Sequence, residues 1–283
     1  KHSGSQFSFK DIDLLLSAAG QTAISLENSR LYESEAEKKK IERDLENARK
    51  IQESLLPKSF PDIKKLNICG KMIPAMQIGG DYFDLIKIND SKLFVVVGDV
   101  SGKGFSASFY MSKIQTMIRL YCNEESSPKQ ILSEINKRIF KEIEKNSFIT
   151  VLLALIDTEK EEIKLCRAGH TPLLKFNNTS YELYQPSGIG LGLDKSEIFD
   201  SSLEEQTIQL SKNDLLFFFS DGVTELMNKD SELYGIQRLK AVIQCNMKKN
   251  CSDLSKLLLE DIQLFRKDIP QYDDITFIII NFN

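Results

Sequence analysis

Five stretches constrain the fold more than anything else in the chain: KLFVVVGDV (92–100), FITVLLALID (148–157), EIKLCRAGH (162–170), DLLFFFSDG (214–222) and DITFIIINF (274–282). Each is rich in β-branched and aromatic residues and stops at a turn signal, which predicts strands. Several are apolar on consecutive rather than alternate positions, the pattern of a strand covered on both faces. Helical patterns lie between them, over about 105–122, 128–145, 235–247 and 252–266. The second and third runs are separated by a short polar link, which predicts a hairpin. Hairpin-joined strands with helices collected in pairs predict two stacked sheets flanked by helices, an α+β fold, not a doubly wound Rossmann sheet.

The pattern upstream is different. Residues 11–56 read as one long helix, because Pro and Gly are absent after Gly20 until Pro57. Ile24, Leu31 and Leu45, and in turn Ile41, Ala48 and Leu55, fall at multiples of seven and form an a/d-like seam, broken at Ser34 and Lys38. One reading packs this helix on its own domain. The other makes it the stalk of a parallel dimer, and a charge-rich helix of this length, unable to bury its stripe alone, favours the stalk.

Composition removes several function classes. Of the 283 residues, 41 % are apolar and 28 % charged, ordinary for a globular protein, and the net charge of −4 exerts no general pull toward nucleic acid or anionic membranes. No apolar run is long enough to span a bilayer and no signal peptide is visible, so no membrane contact is expected of this segment. The five cysteines (69, 122, 166, 245, 251) are odd in number and never in C-x-x-C spacing. That argues against a zinc site or disulfide framework and fits a reducing cytoplasm. The chain opens at Lys1 without Met, which fits an excised fragment with further sequence upstream.

GDVSGKG (98–104) poses the chemical question. A phosphate-binding loop needs G-x-x-x-x-G-K-[ST]. Here three residues, not four, separate Gly98 from Gly102, and Gly104 follows Lys103 where Ser or Thr is required. What remains is Asp99, a carboxylate at the end of a buried-looking strand. Asp81 in GGDYFDL, Asp221 in LLFFFSDG, and Asp273 with Asp274 in DDITFIII share that context. Burying several carboxylates together is costly without a counter-charge, and bound cations remove the cost. Oxygen-only ligands select hard ions such as Mg²⁺ or Mn²⁺. The two histidines point the same way: His2 lies in the leading tail, and His170 in AGHTP reads as a turn residue bonded to backbone. A Ser-His-Asp triad would have to use His170, yet no G-x-S-x-G elbow supplies the serine.

LENARKIQESLLP, GGDYFD, GDVSGKG, AGHTP, SDGVTE and DDIT occur in that order. Together they resemble the SpoIIE/RsbU-type serine phosphatases of the metal-dependent protein phosphatase (PPM) superfamily, over about residues 46–283. The resemblance implies a PPM-type α-β-β-α sandwich preceded by the long helix, and two Mn²⁺ or Mg²⁺ ions at one end of the sheets. It implies hydrolysis of phosphoserine or phosphothreonine on a regulatory protein, commonly a STAS-domain anti-sigma-factor antagonist, by attack of a metal-bridging hydroxide with no covalent phospho-enzyme. Carried over by position, Asp99 bridges the ions, the Val100 carbonyl is a backbone ligand, Asp81 holds the second ion, and Asp221 and Asp273 hold the first. Asp274 orients water, Asp84 is a further acid whose alternative is a strand-edge surface position, and Gly80 and Gly102 allow close backbone approach. Ser101 stands where eukaryotic-type members carry a histidine, which removes that side chain as proton donor. Lys103 either faces the substrate phosphate or is solvated.

FSFKDIDLLLSAAGQTAISLENSRLYE resembles the last helix of a GAF sensory domain running into a linker. The implied organisation is a sensor remnant over 1–30, a helical coiled-coil linker over 31–60 through which the chain dimerises, and a phosphatase domain over 61–283. Two other functions are weighed. GGDYF is similar to the GGDEF signature of diguanylate cyclases, but Tyr82 replaces the acid and nothing else matches. A catalytically weak dimeric scaffold of the same fold is the second, and the presence of every expected carboxylate speaks against it.

Overall fold

In the computed structural model, residues 8–102, 104–177 and 180–283 are described. The chain divides into two compact units, one ending at Ala48 and one running from Arg49 to Asn283, ahead of the expected start at 61. A single helix, α1 (Phe9–Leu55), supplies all described structure of the first unit except Ser8 and contributes its last two turns to the second. Ile24, Leu31 and Ile41 of the heptad seam are exposed on it. Among the described residues no helix is long and apolar enough to cross a membrane.

The second unit holds two five-stranded sheets, antiparallel throughout. One has the order β1 (Leu66–Ile73), β10 (Ile275–Phe282), β9 (Leu215–Phe219), β6 (Leu173–Phe176), β7 (Tyr181–Tyr184). The other runs β2 (Tyr82–Lys87), β3 (Lys92–Val100), β4 (Ile149–Asp157), β5 (Glu162–Ala168), β8 (Glu205–Gln209). The expected hairpin is β4–β5, with Leu152 opposite Arg167 and Asp157 opposite Glu162.

The consecutive apolar runs have a direct cause in three separate cores. Val95, Val97, Leu152, Phe218 and Ile278 point between the sheets. Their neighbours Phe94, Val96 and Leu153 point the other way, onto α2 (Phe105–Tyr121) and α3 (Pro128–Ile139). On the opposite side Phe217, Phe219 and Phe277 meet α6 (Gly235–Asn246) and α7 (Cys251–Arg266). Side chains alternate in direction along a strand, so only a strand sandwiched between a sheet and a helix layer requires apolar residues at every position. Each such side chain contributes roughly 1.5–3 kcal/mol by leaving water. The result is the expected four-layer helix–sheet–sheet–helix sandwich.

Three details differ from the sequence reading. Helix α3 ends at Ile139, not near 145, because the Tyr110 hydroxyl donates to the Glu142 carbonyl and accepts the Glu144 N–H, groups a longer helix would use itself. Its start is sharp: Ser127 and Gln130 form a reciprocal capping box with Pro128 in the first turn. The polar strands β7 and β8 and the short helices α4 (Ser196–Ser202) and α5 (Asp221–Thr224) left no periodic signal. Finally, Cys69 and Cys251 form a disulfide, against the expectation of no disulfide. They lie 182 residues apart with Cα atoms 5.8 Å from each other, a pairing made by α7 packing on β1 that no spacing rule detects.

Candidate metal centre

Antiparallel pairing collects four strand ends at one edge of the sandwich. Tyr82 at the start of β2 faces Gly98 near the end of β3, and Phe277 near the start of β10 faces Phe219 at the end of β9. Asp81 immediately precedes β2 and Asp99 nearly ends β3. Asp221 follows β9 after one residue, and Asp273 and Asp274 precede β10. Two sheets therefore deliver five aspartates to one place.

Their electrostatics record that proximity. Burial, followed by the charges of Asp221, Asp273 and Asp274, pushes Asp99 up to about 7. Burial raises Asp81 well above the usual carboxylate range, with the Asp99 charge adding to it. Asp221 is raised by burial, then by Glu225 and Asp273. One carboxylate oxygen of Asp81 is buried without a hydrogen-bond partner. Among the described residues no three His, Cys, Asp or Glu side chains are drawn tightly around a common point. The donor set nevertheless fits a hard divalent ion. It is all oxygen and mutually repelling, and it includes an orphaned buried oxygen, which a cation would satisfy.

The loop ahead of β2 is pressed against these acids. A Cβ on Gly80 would lie 2.8 Å from the Val100 carbonyl oxygen and 3.1 Å from Asp99 Oδ1, so Gly80 does permit the expected close approach. Gly102 does not serve that purpose: a Cβ there meets nothing within 4 Å, and its glycine is explained by a φ of +95°. Asp274 is buried, and its carboxylate accepts the Ala75 N–H at 2.8 Å and the Asp81 N–H at 3.3 Å. It ties down the loop that carries Asp81. Gly79, which the sequence reading passed over, allows this: a Cβ on it would come within 1.9 Å of Asp274 Oδ2. The doubled glycine of GGD was the available signal.

The remaining candidates stand as follows. Asp84 is fully buried and bidentate to Arg119, at 2.7 Å and 3.0 Å, and accepts the Tyr82 hydroxyl at 2.8 Å. It is neither a surface acid nor directed at the aspartate cluster, because alternation along β2 places it with Tyr82 and Ile86 on the face turned to α2. Ser101 closes the β3–β4 end: its N–H donates to the Phe148 carbonyl and its Oγ accepts the Phe148 N–H. Val100 is buried, and its N–H donates to the Gly80 carbonyl. Lys103 and His2 lie outside the described residues. His170 is buried, with Nδ1 2.8 Å from the Thr150 hydroxyl, and burial pushes its pKa down to about 3. A small cleft beside the acids is lined by Met76, Gly80, Gly102, Tyr272 and Asp273.

Residues 89–283 match the family model of stage II sporulation protein E, SpoIIE. The chain belongs to the SpoIIE family. It is thereby a protein serine/threonine phosphatase of the RsbU-type branch of the metal-dependent superfamily. It is 30 % identical over 246 residues to phosphoserine phosphatase RsbU of Bacillus subtilis (strain 168), covering 85 % of this chain and 70 % of RsbU. Two solved structures share the fold. The SiaA PP2C domain of Pseudomonas aeruginosa superposes with a TM-score of 0.75 at 17 % identity, over 87 % of this chain and 98 % of that one. RsbX in complex with magnesium superposes with a TM-score of 0.60 at 15 % identity, over 80 % of this chain and 99 % of RsbX.

Proposed function

We propose that the aspartate edge is a two-ion centre for Mn²⁺ or Mg²⁺ that hydrolyses phosphoserine or phosphothreonine on a regulatory phosphoprotein. The observation that carries this is the gathering of Asp81, Asp99, Asp221 and Asp273 from both sheets, with Asp99 raised first by burial and then by its acidic neighbours. Asp99, at the centre of that repulsion, would be shared by both ions. Asp221 and Asp273 would hold one, and Asp81 the other with the Val100 carbonyl. Divalent ions bound there would supply Lewis acidity, making a water molecule more acidic and neutralising phosphoryl oxygens. RsbX, of the same fold, was crystallised with magnesium, which supports the choice of ion.

The protein's own groups orient this centre. Asp274 fixes the Asp81 loop through two backbone N–H groups. Ser101 carries no proton in the range that histidine would, so its part is to close the loop after Asp99. Neutral His170 holds the Thr150 hydroxyl, and Thr150 pairs with Asp99 across β3 and β4. A STAS-domain phosphoprotein is the substrate we favour, on the analogy with RsbU-type enzymes. The linker helix is read as a dimer stalk that passes an upstream signal to the phosphatase.

The test is phosphate release from a generic phosphoester and from a phosphoserine-bearing STAS protein. It is run with Mn²⁺, Mg²⁺ and EDTA, on the wild type and Asp221→Asn. Release that needs the ion and is lost in the variant is expected. Partner binding without release under any ion would establish the scaffold reading instead.

A further inference from the structure

Strand β5 ends at Ala168 in one sheet and β6 begins at Leu173 in the other, so residues 169–172, the GHTP of AGHTP, carry the chain across the sandwich. They cross at the edge that gathers the aspartates. Arg167 of β5 pairs with Leu152 near the start of β4, and Leu174 of β6 pairs with Phe217 near the end of β9. Each sheet is reached at an aspartate by one polar side chain of the crossover. His170 is buried, and its Nδ1 lies 2.8 Å from the hydroxyl of Thr150, which stands opposite Asp99 across β3 and β4. Thr171 Oγ1 donates to the carbonyl of Phe219, the last residue of β9 and two before Asp221. The Nε2 of His170 makes no full hydrogen bond, but the backbone carbonyl that acts on its ring is again that of Phe219. The crossover is itself held in place. Arg167 Nη1 donates to the His170 carbonyl at 2.8 Å, and the Gly169 N–H donates to the Gly188 carbonyl at 3.0 Å.

We infer that His170 and Thr171 are positioning residues for the metal centre: the crossover is a tie that sets the distance between the strand end carrying Asp99 and the strand end carrying Asp221. Neither residue touches a reacting atom. The inference rests on the metal-centre reading above. The apolar core between the sheets holds them together without direction, whereas a hydrogen bond is narrow in length and angle and so fixes a spacing. The tie should matter unequally to the two ions. The one held by Asp99, Asp221 and Asp273 draws its ligands from both sheets. The one held by Asp81, Asp99 and the Val100 carbonyl draws them from the β2–β3 side of a single sheet. Only the first depends on the spacing between sheets. Groups that orient ligands from behind a metal site typically change affinity by about 10–100-fold when removed.

The experiment compares wild type, Thr171→Val, Thr171→Ser, Thr150→Val and Thr158→Val as the full chain, by Mn²⁺ calorimetry and thermal unfolding. Thr171→Val removes the donor to Phe219, Thr171→Ser keeps it, and Thr150→Val cuts the tie on the other sheet. Thr158→Val is the control: its hydroxyl donates to the Ser91 carbonyl at 3.2 Å, just past the opposite end of β4. Thr171→Val is expected to weaken one of the two Mn²⁺ sites at least about tenfold with the other little changed. Thr150→Val should do the same, and it decides the question by the same readout if Thr171→Val does not fold. Thr171→Ser should recover wild-type binding, and Thr158→Val should lower the melting temperature without moving either site. Wild-type affinity at both sites in Thr171→Val and Thr150→Val would overturn the inference while leaving the metal centre standing. Equal weakening of the two sites, or the same weakening in Thr158→Val, would also overturn it, by making the effect one of general loosening. A wild type that binds no Mn²⁺ would defeat the metal-centre reading, and the inference with it.

Discussion

At the scale of single residues, the aspartates are arranged for charge compensation rather than for stability. The pKa of Asp99 rises from its ordinary value of 3.8 to about 7 on folding. Between those values the folded chain holds a proton that the unfolded chain has lost. Without metal, the contribution of this group to stability should therefore fall as pH rises through that window, by up to about 1.4 kcal/mol per pH unit. Asp99→Asn should flatten this fall and raise the melting temperature of the metal-free protein at pH 7, while removing activity; unfolding curves at pH 5 to 8 with EDTA would show it. His170 acts in the opposite sense. Its pKa falls from 6.5 to about 3, so protonating the unfolded chain favours unfolding as pH drops between those values. His170→Asn, if the fold tolerates it, should weaken the acid-side loss below pH 6. The same residues show how far the site was legible in sequence. Asp81, Asp99, Asp221 and Asp273 could be picked out because each abuts an apolar strand. Asp84 was set apart from them as a further acid, but its buried pairing was not legible, because its partner Arg119 is 35 residues away on a helix. Gly79 was signalled only by the doubled glycine of GGD, because its neighbour Asp274 is far along the chain and is brought to it only by folding.

At the scale of elements, legibility followed burial on two sides. The inner parts of β3, β4, β9 and β10 are buried along nearly every residue and were read with the right polarity and order. Strand β7 is mostly exposed and carried no pattern to read. The overlong reading of α3 arose because 140–145 has helical composition, while tertiary bonds to Tyr110 redirect it. Packing between elements also locates a vulnerable joint. Asp84 on β2 depends on Arg119 of α2 for most of its charge compensation, and removing one partner of a buried pair leaves an uncompensated charge. Arg119→Met should cost about 3 kcal/mol, a little tempered by the half-exposed guanidinium, and Asp84→Asn with Arg119→Met should recover part of it. Chemical denaturation of the two single variants and the double variant would measure the coupling. Single losses that simply add would show that the pair contributes nothing of its own.

At the scale of the whole molecule, a phosphatase unit from Arg49 onward continues upstream into an exposed helix. Ile24, Leu31 and Ile41 expose apolar surface there that a single copy does not cover. If the stalk reading holds, Ile41→Glu with Leu45→Glu should convert a dimer to a monomer by light scattering and change the rate of phosphate release. A variant that alters neither would sever the helix from regulation. The central claim, however, is that two sheets bring their aspartates together to bind divalent ions, and it is tested most directly by equilibrium Mn²⁺ binding to the purified chain. Two sites are expected in the wild type, with binding reduced in Asp221→Asn and lost most fully in Asp99→Asn, whose side chain is central to the cluster. Wild-type protein that binds no ion, or an Asp99→Asn variant that binds as the wild type does, would contradict it.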